Sequence, residues 1–136
     1  MNKFLTILIV LSPYFIFSQE LPTQIYVRAK AKDAKFIGSS IGGALIIIKD
    51  ALTGEILAKG KTEGSTGNTA KIMTTPRGRY HILAGDNTAK FETTLNLSEP
   101  VFVTIEAHSP IASRQATSVS STQLWLIPGK HILSDG

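Results

Sequence analysis

The sequence predicts an all-β protein, an antiparallel Greek-key β-sandwich of about seven strands that follows an N-terminal signal-peptide helix. Two observations support this prediction. After residue 23, polar and apolar side chains alternate through much of the chain, as in strands with one wet and one buried face. The same region has no window with the i, i+3, i+4 apolar spacing of a helix, and short polar turn segments separate the alternating runs.

The chain begins with a segment of the secretory type. Lys3 is the only charged residue before position 20, residues 4–17 are almost all apolar, and the small residue Ser18 follows them. A basic tip, a short apolar core and a small exit residue are the three parts of a signal peptide. We therefore assign residues 1–18 to a signal peptide cleaved after Ser18, and residues 19–136 to one β-sandwich domain.

Two other interpretations of the first segment are a retained membrane anchor and a lipid anchor. A membrane-spanning helix needs about 20 apolar residues, whereas this stretch is shorter and is interrupted by Pro13. A lipid-modified N-terminus needs a cysteine, and the chain has none. The expected localisation is therefore export to the periplasm, the cell surface or the medium, with membrane contact only through the signal peptide during export.

The first predicted strand, residues 24–32, has two chemically different faces. One face carries Ile25, Val27, Ala29 and Ala31, and the other carries Tyr26, Arg28, Lys30 and Lys32. We interpret the basic face as the solvated protection of a sheet edge, because charged side chains there discourage pairing with another chain.

The central strand is predicted at residues 44–48 (ALIII), which are apolar at every position. A short, β-branched run that follows the glycine pair 42–43 indicates a strand buried on both faces. Residues 49–54 then turn the chain, and residues 55–62 return as the hairpin partner.

Three further strands are predicted in the second half of the chain, at residues 89–97, 101–108 and 115–127. The first two alternate in polarity and are joined by the turn at residues 98–100 (SEP). The third ends at the Pro-Gly pair of residues 128–129. Its apolar run at residues 124–127 predicts that Trp125 packs between the sheets as a core residue.

Two polar stretches, residues 63–70 (EGSTGNTA) and 74–87, are predicted to be long loops. Binding residues tend to lie on loops that a rigid sheet positions. The predicted binding residues are Ser65, Thr66 and Asn68 in the first loop, with Tyr80 and Trp125 as aromatic side chains. If Trp125 were exposed together with Tyr80 or Tyr26, these rings would form a platform on which a sugar could stack.

Residues 49–67 (KDALTGEILAKGKTEGSTG) resemble the core hairpin of carboxypeptidase-regulatory-like, transthyretin-like β-sandwich domains. In those domains an apolar strand turns through an aspartate and a Thr-Gly pair and returns to end near a Thr-x-x-Gly. The corresponding positions here are Asp50, Thr53, Gly54, Thr62 and Gly64 to Gly67.

The longer stretch that includes AKDAKFIG, GSTGNT, KIM and QLWLIPGK is similar to a poorly characterised family of exported bacterial proteins with no assigned activity. The resemblance implies the sandwich fold and no catalytic residue. Such sequences usually continue into at least one more strand. The resemblance therefore implies that this chain is either a short version of the fold or truncated at the C-terminus.

The sequence contains no recognisable catalytic or metal-binding motif. The histidines are His81, His108 and His131, and none has the H-x-H or H-E-x-x-H spacing that brings two ligands together. Residues 38–42 (GSSIG) have the G-x-S-x-G spacing, but a nucleophile turn needs a helix directly after the serine, and the sequence predicts none there. No lysine directly follows the glycines of residues 64–67 as in a phosphate loop. The acidic residues near turns are Asp33, Asp50, Glu63 and Asp86; they lack the D-x-D-x-D clustering of a calcium loop, so calcium is only a minor alternative.

Composition narrows the class of function further. The absence of cysteine excludes disulfides and thiolate metal sites, so packing alone must stabilise the domain. The net charge of +4 comes from scattered basic residues, whereas nucleic-acid binding usually needs a concentrated basic face. We therefore expect a non-enzymatic structural or protein-interaction module of the bacterial envelope, without cofactor, metal or nucleic acid. Its expected partner is another envelope protein or a glycan, and the alternative is a carbohydrate-binding or transport-associated accessory domain.

Overall fold

The computed structural model describes residues 18–133, which form six strands. These are β1 (Leu21–Val27), β2 (Leu45–Asp50), β3 (Ile56–Lys61), β4 (Phe91–Leu97), β5 (Val101–Ser109) and β6 (Ser118–Leu126). The predicted signal-peptide helix, residues 1–18, lies outside the described part of the chain except for Ser18.

The strands form two antiparallel sheets. One sheet has the order β3-β2-β5-β6, and the other pairs β1 with β4. The all-β prediction is thus confirmed, with six strands in the described residues rather than about seven. The hairpin of β2 and β3 is also confirmed, whereas the turn after β4 carries the chain from one sheet to the other.

The first strand begins and ends earlier than the alternating pattern suggests. A strand is predicted at residues 24–32, but β1 spans Leu21–Val27. Val27 is its last residue because it pairs with Phe91, the first residue of the antiparallel partner β4. Beyond that point Lys30 forms only an isolated bridge with Phe36. Side-chain alternation therefore continues past the end of the strand pairing that defines β1.

The main core lies between the two sheets. The smaller sheet and the segment that follows β1 contribute Ile25, Ala29 and Leu97. The larger sheet contributes Ile46, Ile48, Val103, Ile105 and Leu126, and Ala44 lies beside them. Except for Ala29 and Ala44, which lie just outside β1 and β2, these side chains come from the inward positions of their strands, as the alternation predicts. Burial of one face of each sheet against the other is consistent with a β-sandwich.

The β2 strand is central, as its sequence predicts. It lies between β3 and β5, and Ile46 and Ile48 are fully buried in the core. Ile47 faces the opposite side and is only 9% exposed, because it lies between Lys59 and Glu106 in the register of the sheet. Both faces of β2 are therefore covered.

The described residues also contain three single helical turns, which the sequence analysis does not predict. Two are 3-10 turns, Ser39–Ile41 and Arg114–Ala116, and one is a π-helical turn, Ala70–Thr74. Such turns have too few residues to show helical periodicity. No helix in the described range is long and apolar enough to cross a membrane.

A second, smaller core lies beneath the two predicted loops. Phe36, Ile72 and Ala84 are buried together, and Leu83 packs against them. Ile72 belongs to the π-helical turn, which places its side chain in this cluster. The long connections are therefore packed segments with an apolar anchor of their own.

Candidate binding surfaces

The backbone of Ser65 joins neighbouring segments. Its N–H donates to the carbonyl oxygen of Asn87 at 2.8 Å, and its carbonyl accepts from the N–H of Ala89 at 2.8 Å. The Ser65 hydroxyl oxygen accepts from the N–H of Gly67 at 3.3 Å. These bonds fix the position of the loop and occupy the main-chain groups that a ligand would otherwise contact.

Thr66 and Asn68 have comparable structural roles. The carbonyl of Thr66 accepts from the N–H of Phe36 at 3.2 Å. The Oδ1 atom of Asn68 accepts from the N–H of Lys71 at 2.9 Å, at the start of the π-helical turn. A short polar side chain in this position stabilises a helix start by binding a free N–H group.

Trp125 does not lie in the core, so that prediction is wrong. In β6, Leu124 and Leu126 point inward and Leu126 is fully buried, and alternation therefore turns Trp125 outward. Trp125 is 58% exposed, and its ring centroid lies 5.1 Å from that of Phe102 on β5. The run of four apolar residues does not reveal which of them face solvent.

The five predicted binding residues do not form one site. Ser65 and Asn68 border the same hollow, of about 420 Å³. Tyr80 is 90% exposed in the segment between the π-helical turn and β4, whereas Trp125 lies on β6. Tyr26 lies on the other sheet, with the ammonium group of Lys90 4.0 Å from its ring centroid. No ring contact in the described residues joins Trp125 to either tyrosine.

The outward side of the four-stranded sheet carries a polar network beside the aromatic pair. The Nζ atom of Lys49 donates to Oε1 of Glu106 at 2.7 Å, and Nε2 of His108 lies 3.0 Å from the other carboxylate oxygen. Between this cluster and the rings, Nε2 of Gln123 donates to Oγ1 of Thr104 at 3.0 Å. The hydrogen bond from Lys49, followed by that from His108, lowers the pKa of Glu106 below its ordinary value of 4.5. We call this surface, from Phe102 and Trp125 to His108, the outer face.

The outer-face carboxylate predicts an acid-dependent loss of stability. Because the pKa of Glu106 is lowered in the folded state, its ionised form stabilises the fold above pH 4.5, and this contribution is lost as the pH falls through the folded pKa. Glu106→Gln should lower the melting temperature by a few degrees at most at neutral pH, and the difference from wild type should shrink on acidification. Thermal unfolding across acid pH measures this, with the exposed Glu55→Gln as control. A difference that grows as the pH falls would contradict the assignment.

A cleft lies between the sheets at one end of the molecule. It consists of two hollows, of about 600 and 360 Å³, that share the lining residues Val27, Arg28, Lys30, Ile105 and Thr122. One wall is β1 with the segment that follows it, and the other is formed by β5 and β6. We call this space the inter-sheet cleft.

The cleft is not among the sites predicted from the sequence, although the polarity of β6 contains a signal for it. Ser118, Ser120 and Thr122 occupy the same face of β6 as the inward-pointing Leu124 and Leu126, yet all three are exposed. The inward face of β6 therefore changes from polar to apolar halfway along the strand. The polar half is uncovered because the smaller sheet does not extend over it.

Basic residues line the inter-sheet cleft. Arg28, Lys30 and Lys32 are the charged residues among its lining, and none of the lining residues is acidic. Arg28 is half-buried, and its Nε atom is buried without a hydrogen-bond partner among residues 18–133. The interpretation of these residues as solvated edge protection therefore does not hold for Arg28.

Within the range that the structure describes, no group of three or more His, Cys, Asp or Glu side chains is arranged to hold a metal ion. His131 accepts the N–H of Gln24 through Nδ1 at 3.0 Å, and His108 contacts Glu106, so both take part in structural contacts. Comparisons with protein-family models, curated proteins and solved structures found no match to this chain.

Proposed function

We propose that this chain is an exported, non-enzymatic protein-interaction module of the bacterial envelope, and that it binds its partner in the inter-sheet cleft. We further propose that the two sheets form a Greek-key β-sandwich of the carboxypeptidase-regulatory-like type. The observation that carries the function is the cleft itself, a solvent-open space of about 600 Å³ at its larger end with an apolar floor. Concave, largely apolar surfaces with a few polar groups are where proteins bind ligands and partners.

The chemistry of the cleft favours a protein partner. Its floor includes Val27, Ile37 and Ile105, while serine and threonine hydroxyl groups of β6 line the opposite wall. An apolar centre with a polar rim is the usual composition of a protein interface. No aromatic ring lines the larger hollow, so this part of the cleft lacks the stacking surface that sugar binding favours.

Site-specific photocrosslinking in the producing cells tests this proposal. A photoreactive residue at Thr122, which lies on the inward face of β6 and lines both hollows of the cleft, should give a discrete adduct with another envelope protein. The same photoreactive residue placed at Leu52, which is 85% exposed in the β2–β3 turn, is the matched control. Filling the cleft with Ser120→Trp should abolish the adduct. Equal crosslinking from both positions, or an adduct that survives Ser120→Trp, would refute the proposal.

The outer face supports carbohydrate binding as a second function. An exposed tryptophan in tilted contact with Phe102, with hydrogen-bonding side chains beside it, offers both the apolar ring and the polar groups that a sugar requires. Here the partner would be a glycan, in keeping with an accessory domain.

Trp125 is the single tryptophan of the chain, so its fluorescence reports directly on this face. Trp125→Ala should remain folded, with a loss of about 1 kcal/mol in the free energy of unfolding, because little beyond the Phe102 contact is removed. If the face binds glycans, soluble oligosaccharides should shift the fluorescence of the wild type, and a glycan array should lose its signal with the variant. A folded Trp125→Ala variant that retains all array binding would refute this function.

A further inference from the structure

The edge of β1 that faces away from β4 is paired over only part of its length. The N–H of Tyr26 donates to the carbonyl of Ile132 at 2.8 Å, and the N–H of Ile132 donates to the carbonyl of Gln24 at 2.9 Å. In the described chain, Ile132 is the one residue that bridges to this edge of β1. Backbone groups alternate sides along a strand, so those of Arg28 and Lys30 point toward the same edge as those of Gln24 and Tyr26.

This edge opens into the smaller hollow of the inter-sheet cleft. The hollow is walled by apolar side chains from several elements, among them Phe36, Ile105, Leu124 and Ile132. An extended segment laid along the edge would direct every second side chain toward these residues. Its backbone would bind the main-chain groups of Arg28 and Lys30, as in the addition of a strand to a sheet.

The charge of the cleft specifies the remaining side chains of such a segment. Arg28, Lys30 and Lys32 are the charged lining residues, and they have the same sign. The guanidinium carbon of Arg28 lies 5.8 Å from the ring centroid of Tyr26, but the buried Nε atom has no hydrogen-bond partner among the described residues, and a buried donor without an acceptor is costly. A carboxylate would supply this acceptor, and it pairs more strongly with a guanidinium group than a neutral acceptor does.

We propose that the inter-sheet cleft binds an extended segment of a partner protein in which acidic side chains alternate with apolar ones. The segment adds as a strand to the edge of β1 beyond Ile132, its apolar side chains enter the cleft, and a carboxylate binds Arg28. The inference rests on the proposed function, because it names the chemistry of the partner that occupies the same cleft. The chain turns at Lys32, so the added strand would pair over the edge from Arg28 to Lys30, three extended residues or about 10 Å.

Labelled eight-residue peptides test the sequence requirement. One peptide alternates valine with glutamate, and two matched peptides carry glutamine or lysine in place of glutamate. Fluorescence anisotropy with the full chain should show binding of the glutamate peptide at least about tenfold tighter than that of the lysine peptide, and weakening with salt. Equal affinity for the three peptides, or no binding of any, would overturn the inference.

Variants of the protein test the residues. Arg28→Gln should weaken binding of the glutamate peptide about tenfold, and the exposed Lys32→Gln should weaken it less. Lys59→Gln, the same change on β3 and outside the cleft lining, should leave the affinity unchanged. Circular dichroism establishes that each variant is folded. If neither cleft variant weakened binding, or if Lys59→Gln weakened it equally, the charge assignment would be wrong.

Two further measurements identify the mode of binding and the occupant. N-methylation of alternate backbone amides of the glutamate peptide should abolish binding in one of the two registers, because it removes the donors that pair with β1. Retained affinity in both registers would exclude strand addition. Sedimentation should show that the chain is a monomer. A dimer that Arg28→Gln dissociates would mean that the cleft binds a second copy of this chain, and it would overturn the inference. If the peptides fail while the Thr122 adduct still depends on an open cleft, the inference falls and the proposed function stands.

Discussion

Replacement of Ile48 by alanine is expected to lower the free energy of unfolding by about 3 kcal/mol. Ile48 is fully buried at the centre of β2, the strand that lies between β3 and β5. It belongs to the cluster that joins the two sheets, so its truncation removes apolar contact and leaves a cavity between them. With no disulfide to hold the domain together, this core supplies most of its stability.

Urea unfolding followed by far-ultraviolet circular dichroism measures this loss. Leu52→Ala is the matched control, because Leu52 is 85% exposed in the turn between β2 and β3. The control should change the free energy of unfolding by no more than about 0.5 kcal/mol. Similar effects of the two substitutions would show that Ile48 is not packed as described.

Replacement of Gly43 by alanine is expected to lower the free energy of unfolding by about 3 kcal/mol or more. Gly43 has a φ of 73°, in the left-handed region that residues with a Cβ atom enter at a cost of roughly 1–2 kcal/mol. A Cβ atom at this position would also collide with the carbonyl oxygen of Thr62. Overpacking of this kind adds about 1–3 kcal/mol.

Thr62 cannot easily move to relieve this collision. Its hydroxyl group is buried, accepts the N–H of Ala44 at 2.9 Å and donates to the carbonyl of Ile37 at 2.7 Å. Movement of Thr62 would therefore disturb the hydrogen bonds that connect the start of β2 to the neighbouring loop.

The neighbouring glycine provides a control that separates strain from collision. Gly42 has a φ of 84°, but a Cβ atom there would have no neighbour within 4 Å. Gly42→Ala should therefore lower the free energy of unfolding only through the strained backbone conformation, by roughly 1–2 kcal/mol. Thermal and urea unfolding of the two variants side by side measures the difference. If the two variants lose the same free energy of unfolding, a collision with Thr62 does not contribute to the effect at Gly43.

The residue pattern predicted the strands well because alternation depends on local geometry. In β4 and β5 the apolar residues that alternate in the sequence are those that face the core. The central position of β2 followed from its unbroken apolar run, since a strand covered on both faces has no polar side to reveal. Strand ends were less predictable, because β1 ends where β4 ceases to pair with it.

The candidate sites were less predictable, for two different reasons. Ser65, Thr66 and Asn68 have the composition of a binding loop. The backbone bonds of Ser65 and Thr66, however, connect segments distant in sequence and depend on the folded chain, while Asn68 bonds locally at the start of the π-helical turn. The orientation of Trp125 depends on the register of β6, which the apolar run 124–127 does not reveal.

Composition and periodicity were sufficient by themselves to determine an all-β chain without disulfides, together with the location of its strands. The signal-like first segment predicts export on the same local grounds. Only the tertiary structure decided that six strands divide into sheets of four and two, and that the smaller sheet leaves the polar half of β6 uncovered. The physical reason is that a side-chain pattern records the two faces of a strand, whereas the extent of the opposing sheet depends on long-range packing. The inter-sheet cleft and the half-buried position of Arg28 arise from that packing.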